Sequence, residues 1–504
     1  MASNLFRTKS IDKLLADSEL PEHRLKKTLG ALSLTALGIG AIIGSGIFIV
    51  TGTAAAGEVD RYPSLLQAPL LSVLMHGRHA IGTMGRPGAG PAIAISFFLV
   101  AFACGLAGLC YAELASMIPI AGSAYTYTYA TLGELIAWII GWDLILEYAV
   151  SNMAVAVGFS AYIDSLLSGL GLHLSNRWTT PTYSPMTGWT THYNLAGFII
   201  VMLLTVLLVV GIRESAGANT VMVAIKLAAI LAFVYFGAHF IKPVNWKPYM
   251  PNGWQGVLTG GAIVFFAYIG FDSVSTAAEE CKNPSRDVPL GIMFSLVICA
   301  VLYIAVAIVL TGMQKWDTLN NAAPVALALQ AVHLLRTERW VTVGALMGMI
   351  SSILVYQLGQ ARIWFAMSRD GLLPSAFSRV HKRFRTPAVS TWIAGLVVGI
   401  PAGLFDIGTL VNLSNIGTLF AFILVSIAVL VLRKRQPDRK RGFRVPFSPW
   451  LPILSLVCCF VLMASLTVEN WIRFFVWLAI GLLIYFRYSR KHSQLHKEAA
   501  AGAE

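Results

Sequence analysis

Gly38-Ile39-Gly40-Ala41-Ile42-Ile43-Gly44-Ser45-Gly46-Ile47-Phe48 is the stretch on which the fold turns. It sits mid-way along an apolar run, 31–55, long enough to cross about 30 Å of hydrocarbon. Its four glycines each weaken a helix by about 1 kcal/mol relative to alanine. Two readings stand. Gly40-x-x-x-Gly44 suits close packing of two helices through small residues. Alternatively the helix is discontinuous, and its freed N–H and C=O groups face a cavity, where such backbone is tolerated at membrane depth.

The rest of the chain has the same apolar character. Of 504 residues, 57% are hydrophobic and only 12% charged. A soluble domain carries about 25% charged residues, so this chain has too few to cover a soluble surface. A soluble enzyme, a disordered chain and a nucleic-acid binder are excluded on that ground. Twelve apolar runs are expected to span a membrane: 31–55, 91–117, 132–167, 195–212, 218–241, 255–278, 288–312, 340–367, 387–404, 408–432, 450–467 and 471–486. The polar, partly acidic stretch ahead of the first run is unlike a cleavable signal, and none is expected.

Net charge is +13, with basic residues bunched at Arg433-Lys434-Arg435 and Arg439-Lys440-Arg441. The positive-inside rule then predicts an inner-membrane protein with both termini cytoplasmic. Phe6, Ile11, Leu14 and Leu15 give the N-terminal tail an amphipathic pattern, read as a helix on the inner membrane surface or one simply in solvent. The six cysteines, all but Cys281 within apolar runs, read as small core or lipid-facing residues.

A second interruption is expected five helices after the first, in Phe265-Phe266-Ala267-Tyr268-Ile269-Gly270-Phe271-Asp272-Ser273. Five is odd, so two five-helix units would cross the membrane in opposite directions. Paired broken helices in inverted halves point to a midplane transport site. Half-helix N-termini attract an anionic group and bare carbonyls a cationic one, which together suit a zwitterion such as an amino acid.

Four interior charges stand out. Lys226, in Val223-Ala224-Ile225-Lys226-Leu227-Ala228, either snorkels to the surface or is an interior amine that exchanges its proton. Glu147, in Leu144-Ile145-Leu146-Glu147-Tyr148, should face the bundle, as a structural ion pair with Lys226 or as part of the coupling. Asp272 is read as a cap of the second half of its helix or as a ligand contact, and Asp143, near Trp138 and Trp142, as structural. Glu279, Glu280, Arg362 and Asp370 read as loop charges or inner-gate ion pairs. No protease, hydrolase or nucleotide-binding motif occurs, and the ten histidines make no metal-ligand spacing, so no cofactor and no metal are expected. A channel lacks a filter sequence or charged ring.

The glycine-rich first run resembles the first helix of the amino acid–polyamine–organocation (APC) superfamily. Phe266 to Asp272 followed by Ala278-Glu279-Glu280-x-Lys282-Asn283-Pro284 resembles helix 6 of its cationic amino acid transporter branch. Pro119-x-Ala121-Gly122-Ser123-Ala124-Tyr125 and Phe365-Ala366-Met367-Ser368-Arg369-Asp370-Gly371 are similar to that branch too. The resemblance implies an all-α polytopic protein with a LeuT-like 5+5 inverted repeat, broken helices 1 and 6, and two extra helices. The units would be a cytoplasmic tail at 1–30, a first repeat at 31–241, a second at 242–435, the last two helices at 436–490 and a C-terminal tail at 491–504.

By the same resemblance, the amides of Gly44, Ser45 and Gly46 would hold a substrate carboxylate. Carbonyls at Ile42, Ile43, Phe266, Ala267 and Ile269 would hold its amine, and Phe266 would also gate the site. Lys226, beside Gly40 and Ser351, would couple transport to protons with Glu147, and Tyr356 would narrow the side-chain pocket. The implied function is a secondary active amino acid importer coupled to protons. An exchanger independent of protons and a sensor that binds without transport remain open, as does the choice between small neutral and cationic substrates. The expected partners are an amino acid, protons and membrane lipid. One departure is the long external connection 57–90, with Arg61, His76, Arg78, His79 and Arg86, whose role as cover, partner site or inert insertion stays open.

Overall fold

The computed structural model describes residues 5–19, 27, 29–58, 63–68, 72, 73, 75, 86–120, 122–169, 171–184, 188–210, 215–321, 323–381 and 386–501. Arg61, His76, Arg78, His79 and Ala121 lie outside them. Among the described residues the chain is an α-helical bundle with two small antiparallel pairs, β1 (Gly57–Glu58) with β2 (Arg86–Pro87) and β3 (Tyr183–Ser184) with β4 (Gly188–Trp189). The tail helix is α1 (Ile11–Glu19). The first run becomes α2 (Ala31–Ile42), a π-turn over Gly46–Val50 and α3 (Thr51–Ala56). Next come α4 (Ile93–Met117), α5 (Ala124–Thr131), α6 (Glu134–Gly169), α7 (Leu195–Val210) and α8 (Ser215–Ala238). The sixth run becomes α9 (Gly253–Val264), a 3-10 turn over Phe265–Tyr268 and α10 (Ser273–Thr276). The remainder is α11 (Pro284–Met313), α12 (Pro324–Ala331), α13 (Leu335–Arg369), α14 (Ala388–Leu404), α15 (Ile407–Arg435), α16 (Trp450–Ala464), α17 (Val468–Ile484) and α18 (Gln494–Ala501).

Eight helical stretches among the described residues are long and apolar enough to cross a membrane, and a ninth arises if α2 and the helix after it, bent by 41°, make one span. Three shorter apolar helices, α7, α14 and α16, fall in segments expected to cross. The third run is over-long because α6 is one continuous helix of 36 residues; α5 ends at Thr131, ahead of it, and Gly133 makes the turn between them with a φ of +103°.

Side chains are sorted inside out relative to a soluble protein. Leu203, Leu231, Phe294, Val301, Phe475 and Leu483 are exposed, whereas Lys226, Glu147, Asp272, Gln357 and Gln360 are buried. That distribution fits an apolar surrounding and a polar interior.

The apolar face of the tail helix meets the bundle. Ile11 and Leu14 are buried against the bundle, Lys9 pairs with Asp370 at 3.0 Å, and the Leu5 and Arg7 carbonyls accept from the Leu135 and Glu134 amides. This docking occupies the end of the bundle that carries Arg433 to Arg441, called here the basic end. Glu113 there binds the Arg433 and Arg441 guanidinium groups, and Arg362 pairs with Glu280, tying α13 to the segment after α10.

The described part of the 57–90 connection is docked at the opposite end. Arg86 Nη1 lies 3.0 Å from Glu58 Oε2, and its Nη2 lies 3.4 Å from the Ser465 carbonyl. Gln67 donates to Thr259 Oγ1 at 3.1 Å, and the Val468 amide donates to the Pro63 carbonyl. These bonds join the insertion to α9 and to the turn between α16 and α17.

Candidate functional site

Each break is a local consequence of its glycines. After Ile42 the backbone leaves the helix: Ile43 has φ −81° and ψ 86°, and the Gly44 amide folds back onto the Ile42 carbonyl at 3.0 Å. Ser45 and Gly46 then open the second half at its N-terminus, where amides lack an intrahelical partner. In the sixth run the 3-10 turn ends at an extended Ile269, and Gly270 adopts φ +120°, a conformation that L side chains rarely take.

The two breaks lie against each other in antiparallel order. A Cβ on Gly46 would come within 2.6 Å of Ala267 Cα, and one on Gly270 within 2.9 Å of Ala41 Cβ. Position advances from 41 to 46 on one segment as it falls from 270 to 267 on the other. The ends agree: the Leu29 amide donates to the Glu280 carbonyl and the Lys282 amide to the Leu29 carbonyl, pairing the start of the first run with the exit from the sixth. The discontinuous reading of Gly38–Phe48 therefore describes the structure, and the close approach of small residues is what brings the two breaks together.

The carbonyls released at the end of α2 are satisfied by side chains. Lys226 Nζ, fully buried, donates to Gly40 O at 2.9 Å and Ile43 O at 3.0 Å. Four carbonyls at a helix C-terminus carry a partial negative charge, so an ammonium there is compensated without a carboxylate. Ser352 Oγ has the same two carbonyls within donating reach of its one proton, at 2.9 and 3.1 Å, and Tyr303 OH donates to Ile42 O at 2.9 Å. Ser351 turns instead to Asn219 Oδ1 at 2.6 Å, with Gly40 O at 3.5 Å.

On the sixth run, Tyr356 OH donates to Ile269 O at 2.8 Å, and the Phe266 carbonyl accepts from the Ile269 amide at 3.3 Å. Tyr356 thus reaches the break itself, its ring edge-on to Tyr148 at 5.9 Å. Phe266 and Ala267 are buried, and Ser45 Oγ is buried with no hydrogen-bond partner among the described residues. Asp272 does not cap α10 with its side chain. Its Oδ2 accepts from Tyr148 OH at 2.7 Å and Ser123 Oγ at 3.4 Å, which ties the break to α6 and to the turn before α5.

Glu147 is not the partner of Lys226. No ion pair joins them among the described residues, and the charged neighbours of Glu147 are Asp272 and Asp143. The reason is geometric: Lys226 on α8 faces α2 and α13, whereas Glu147 on α6 faces α10 and α15. Sequence reasoning does not single out Tyr303, Ser352, Asn219 and Tyr148. Each is a hydrogen-bonding residue in a run long enough to span, and such residues tend to face other helices; Ser352 adjoins Ser351, and Tyr148 adjoins Glu147.

A bundle with an apolar exterior, a polar interior and two interrupted helices crossing antiparallel is that of a multi-pass membrane protein. The chain belongs to the amino acid permease family of the APC superfamily, whose pattern matches residues 29–486. It is 46% identical to the methylthioribose transporter of Bacillus subtilis, over 98% of this chain and 100% of that one. It is also 46% identical to the branched-chain amino acid permease BcaP of the same organism, over 99% of this chain and 100% of that one. The vacuolar cationic amino acid transporter 2 of Arabidopsis thaliana is 36% identical, over 87% of this chain and 64% of the plant protein.

Proposed function

We propose that this chain is a secondary active transporter that imports amino acids across the cytoplasmic membrane by alternating access, coupled to protons. The observation that carries the reading is the antiparallel meeting of two broken helices, with Lys226 bound to the carbonyls of one of them. The nine long candidate spans and the three shorter apolar helices would give twelve crossings, arranged as a LeuT-like 5+5 repeat plus two. The basic end would be cytoplasmic, with both termini there.

In this reading the Gly44, Ser45 and Gly46 amides receive the substrate carboxylate, the Gly44 amide exchanging the Ile42 carbonyl for the ligand. The ammonium uses the second lone pairs of the Ile42 and Ile269 carbonyls, whose first are taken by Tyr303 and Tyr356. Phe266, Ala267 and Val155 offer apolar walls, and Asp272 is engaged by Tyr148 and Ser123. A neutral amino acid suits that lining better than a cationic one, in line with the name of the branched-chain relative. Lys226 holds α2 in its kinked form while protonated. Loss of the proton weakens its bonds to Gly40 and Ile43 and favours opening to the cytoplasm.

The test is uptake by purified protein in proteoliposomes, with leucine, alanine, arginine and methylthioribose, with and without an inward proton gradient. Gradient-driven leucine accumulation is expected. Uptake of methylthioribose with no amino acid flux would overturn the substrate assignment.

A further inference from the structure

A cavity of about 510 Å³ lies away from the two breaks, at the end opposite the basic one. It is bounded by the last turns of α6, by α12 and by the first turn of α13. Its size is that of a small-molecule site. Asp164, Glu338 and Arg339 line it, with Leu327 and Leu335 as apolar wall.

Glu338 is the telling residue. It is 4% exposed, and its Oε1 accepts from Thr342 Oγ1 at 3.1 Å. Among the described residues Thr342 is its only side-chain hydrogen-bond partner, and no cation is paired with it. A carboxylate has room for about four donors, so one hydroxyl leaves most of its acceptor capacity unused. One residue further along, Arg339 is exposed, and its Nη2 leans on the Gly169 carbonyl at 3.3 Å. A carboxylate with acceptor capacity and a guanidinium with donors to spare thus line one cavity.

We propose that this cavity is a second, outer binding site for the transported class of ligand, a zwitterionic α-amino acid with an apolar side chain. The ammonium sits on Glu338 with support from Asp164, the carboxylate on Arg339, and the side chain against Leu327 and Leu335. The inference rests on the amino acid reading above. The cavity also touches the machinery of the first run. Tyr162, beside Ala161 and two residues before Asp164, donates to the Phe48 carbonyl at 2.8 Å. A ligand wedged between α6, α12 and α13 therefore bears on the half-helix that begins at Gly46, and it raises the local concentration of substrate outside the central site.

Equilibrium binding of radiolabelled L-leucine to the full chain in lipid nanodiscs decides the matter by stoichiometry. Wild type is expected to bind two leucines per chain. Glu338→Gln should weaken one site at least tenfold, and Ser165→Trp, which fills the cavity, should remove the same site; Gly46→Leu should leave only that site. In uptake, Glu338→Gln should raise KM several-fold with kcat retained. One site in wild type, abolished by Gly46→Leu, would overturn the proposal, as would two unaltered sites in both cavity variants. A wild type that binds no leucine would overturn the amino acid reading and this site with it. A single wild-type site lost in Glu338→Gln but kept in Gly46→Leu would support the outer site and refute the central one.

Discussion

Gly46 and Ala267 meet with almost no space between their backbones: a Cβ on the glycine would stand 2.6 Å from Ala267 Cα and 2.7 Å from Ala267 Cβ. Nothing flexible lies between them, so a larger side chain at either position must displace a half-helix. Gly46→Leu is expected to abolish central-site binding, by more than 100-fold, while the protein still inserts and folds. Undiminished affinity of the central site in a monodisperse Gly46→Leu protein would show that the ligand does not use this backbone.

Tyr148 links Asp272 to α6 through a 2.7 Å bond inside the bundle. In Tyr148→Phe the carboxylate keeps only the longer contact from Ser123, and its other oxygen already has no partner. Leaving a buried acceptor unsatisfied costs about 1–3 kcal/mol. A lower thermal midpoint in detergent is expected, together with weaker uptake, because the break of the sixth run loses an anchor. An unchanged midpoint and unchanged uptake would mean that Asp272 is held by other groups.

Arg86 and Glu58 form a buried pair at the base of the 57–90 connection. Arg86→Ala breaks this ion pair, and breaking a fully buried pair costs about 3–5 kcal/mol. Stability should fall, and Glu58→Ala added to Arg86→Ala should recover part of it. Since none of these residues reaches the breaks, leucine binding should survive in the double variant. Its loss in a folded double variant would make the insertion part of the transport site.

Both interruptions are legible in the sequence, because Gly38 to Gly46 and Gly270 weaken helix in the middle of runs whose other residues favour it. Lys226 is legible because charge at that depth is rare. The Lys226–Gly40 bond follows from the family resemblance. The role of Ser352 does not: Ser351 and Ser352 differ by about 100° of helix rotation, and only packing decides which hydroxyl faces α2. Charge alone would put Glu147 beside Lys226. Opposite sign is a poor guide where helix-end carbonyls already compensate the amine, and the charges that act on Glu147 are those of two other acids. The docking of the tail is hidden for a related reason, since an amphipathic helix does not say whether its apolar face meets lipid or protein. The Lys9–Asp370 pair, far apart in sequence, settles that only in three dimensions.

The measurement that bears most directly on the coupled-transport claim is accumulation of labelled leucine by proteoliposomes under an imposed inward proton gradient, for wild type, Lys226→Ala and Lys226→Arg. Lys226→Ala removes the amine that bridges Gly40 and Ile43, and Lys226→Arg keeps the charge but cannot release its proton in the working pH range. Wild type should accumulate leucine in proportion to the gradient; Lys226→Ala should bind leucine weakly and accumulate none, and Lys226→Arg should be locked. Gradient-driven accumulation by Lys226→Ala at the wild-type level would contradict the assignment of proton coupling to this lysine.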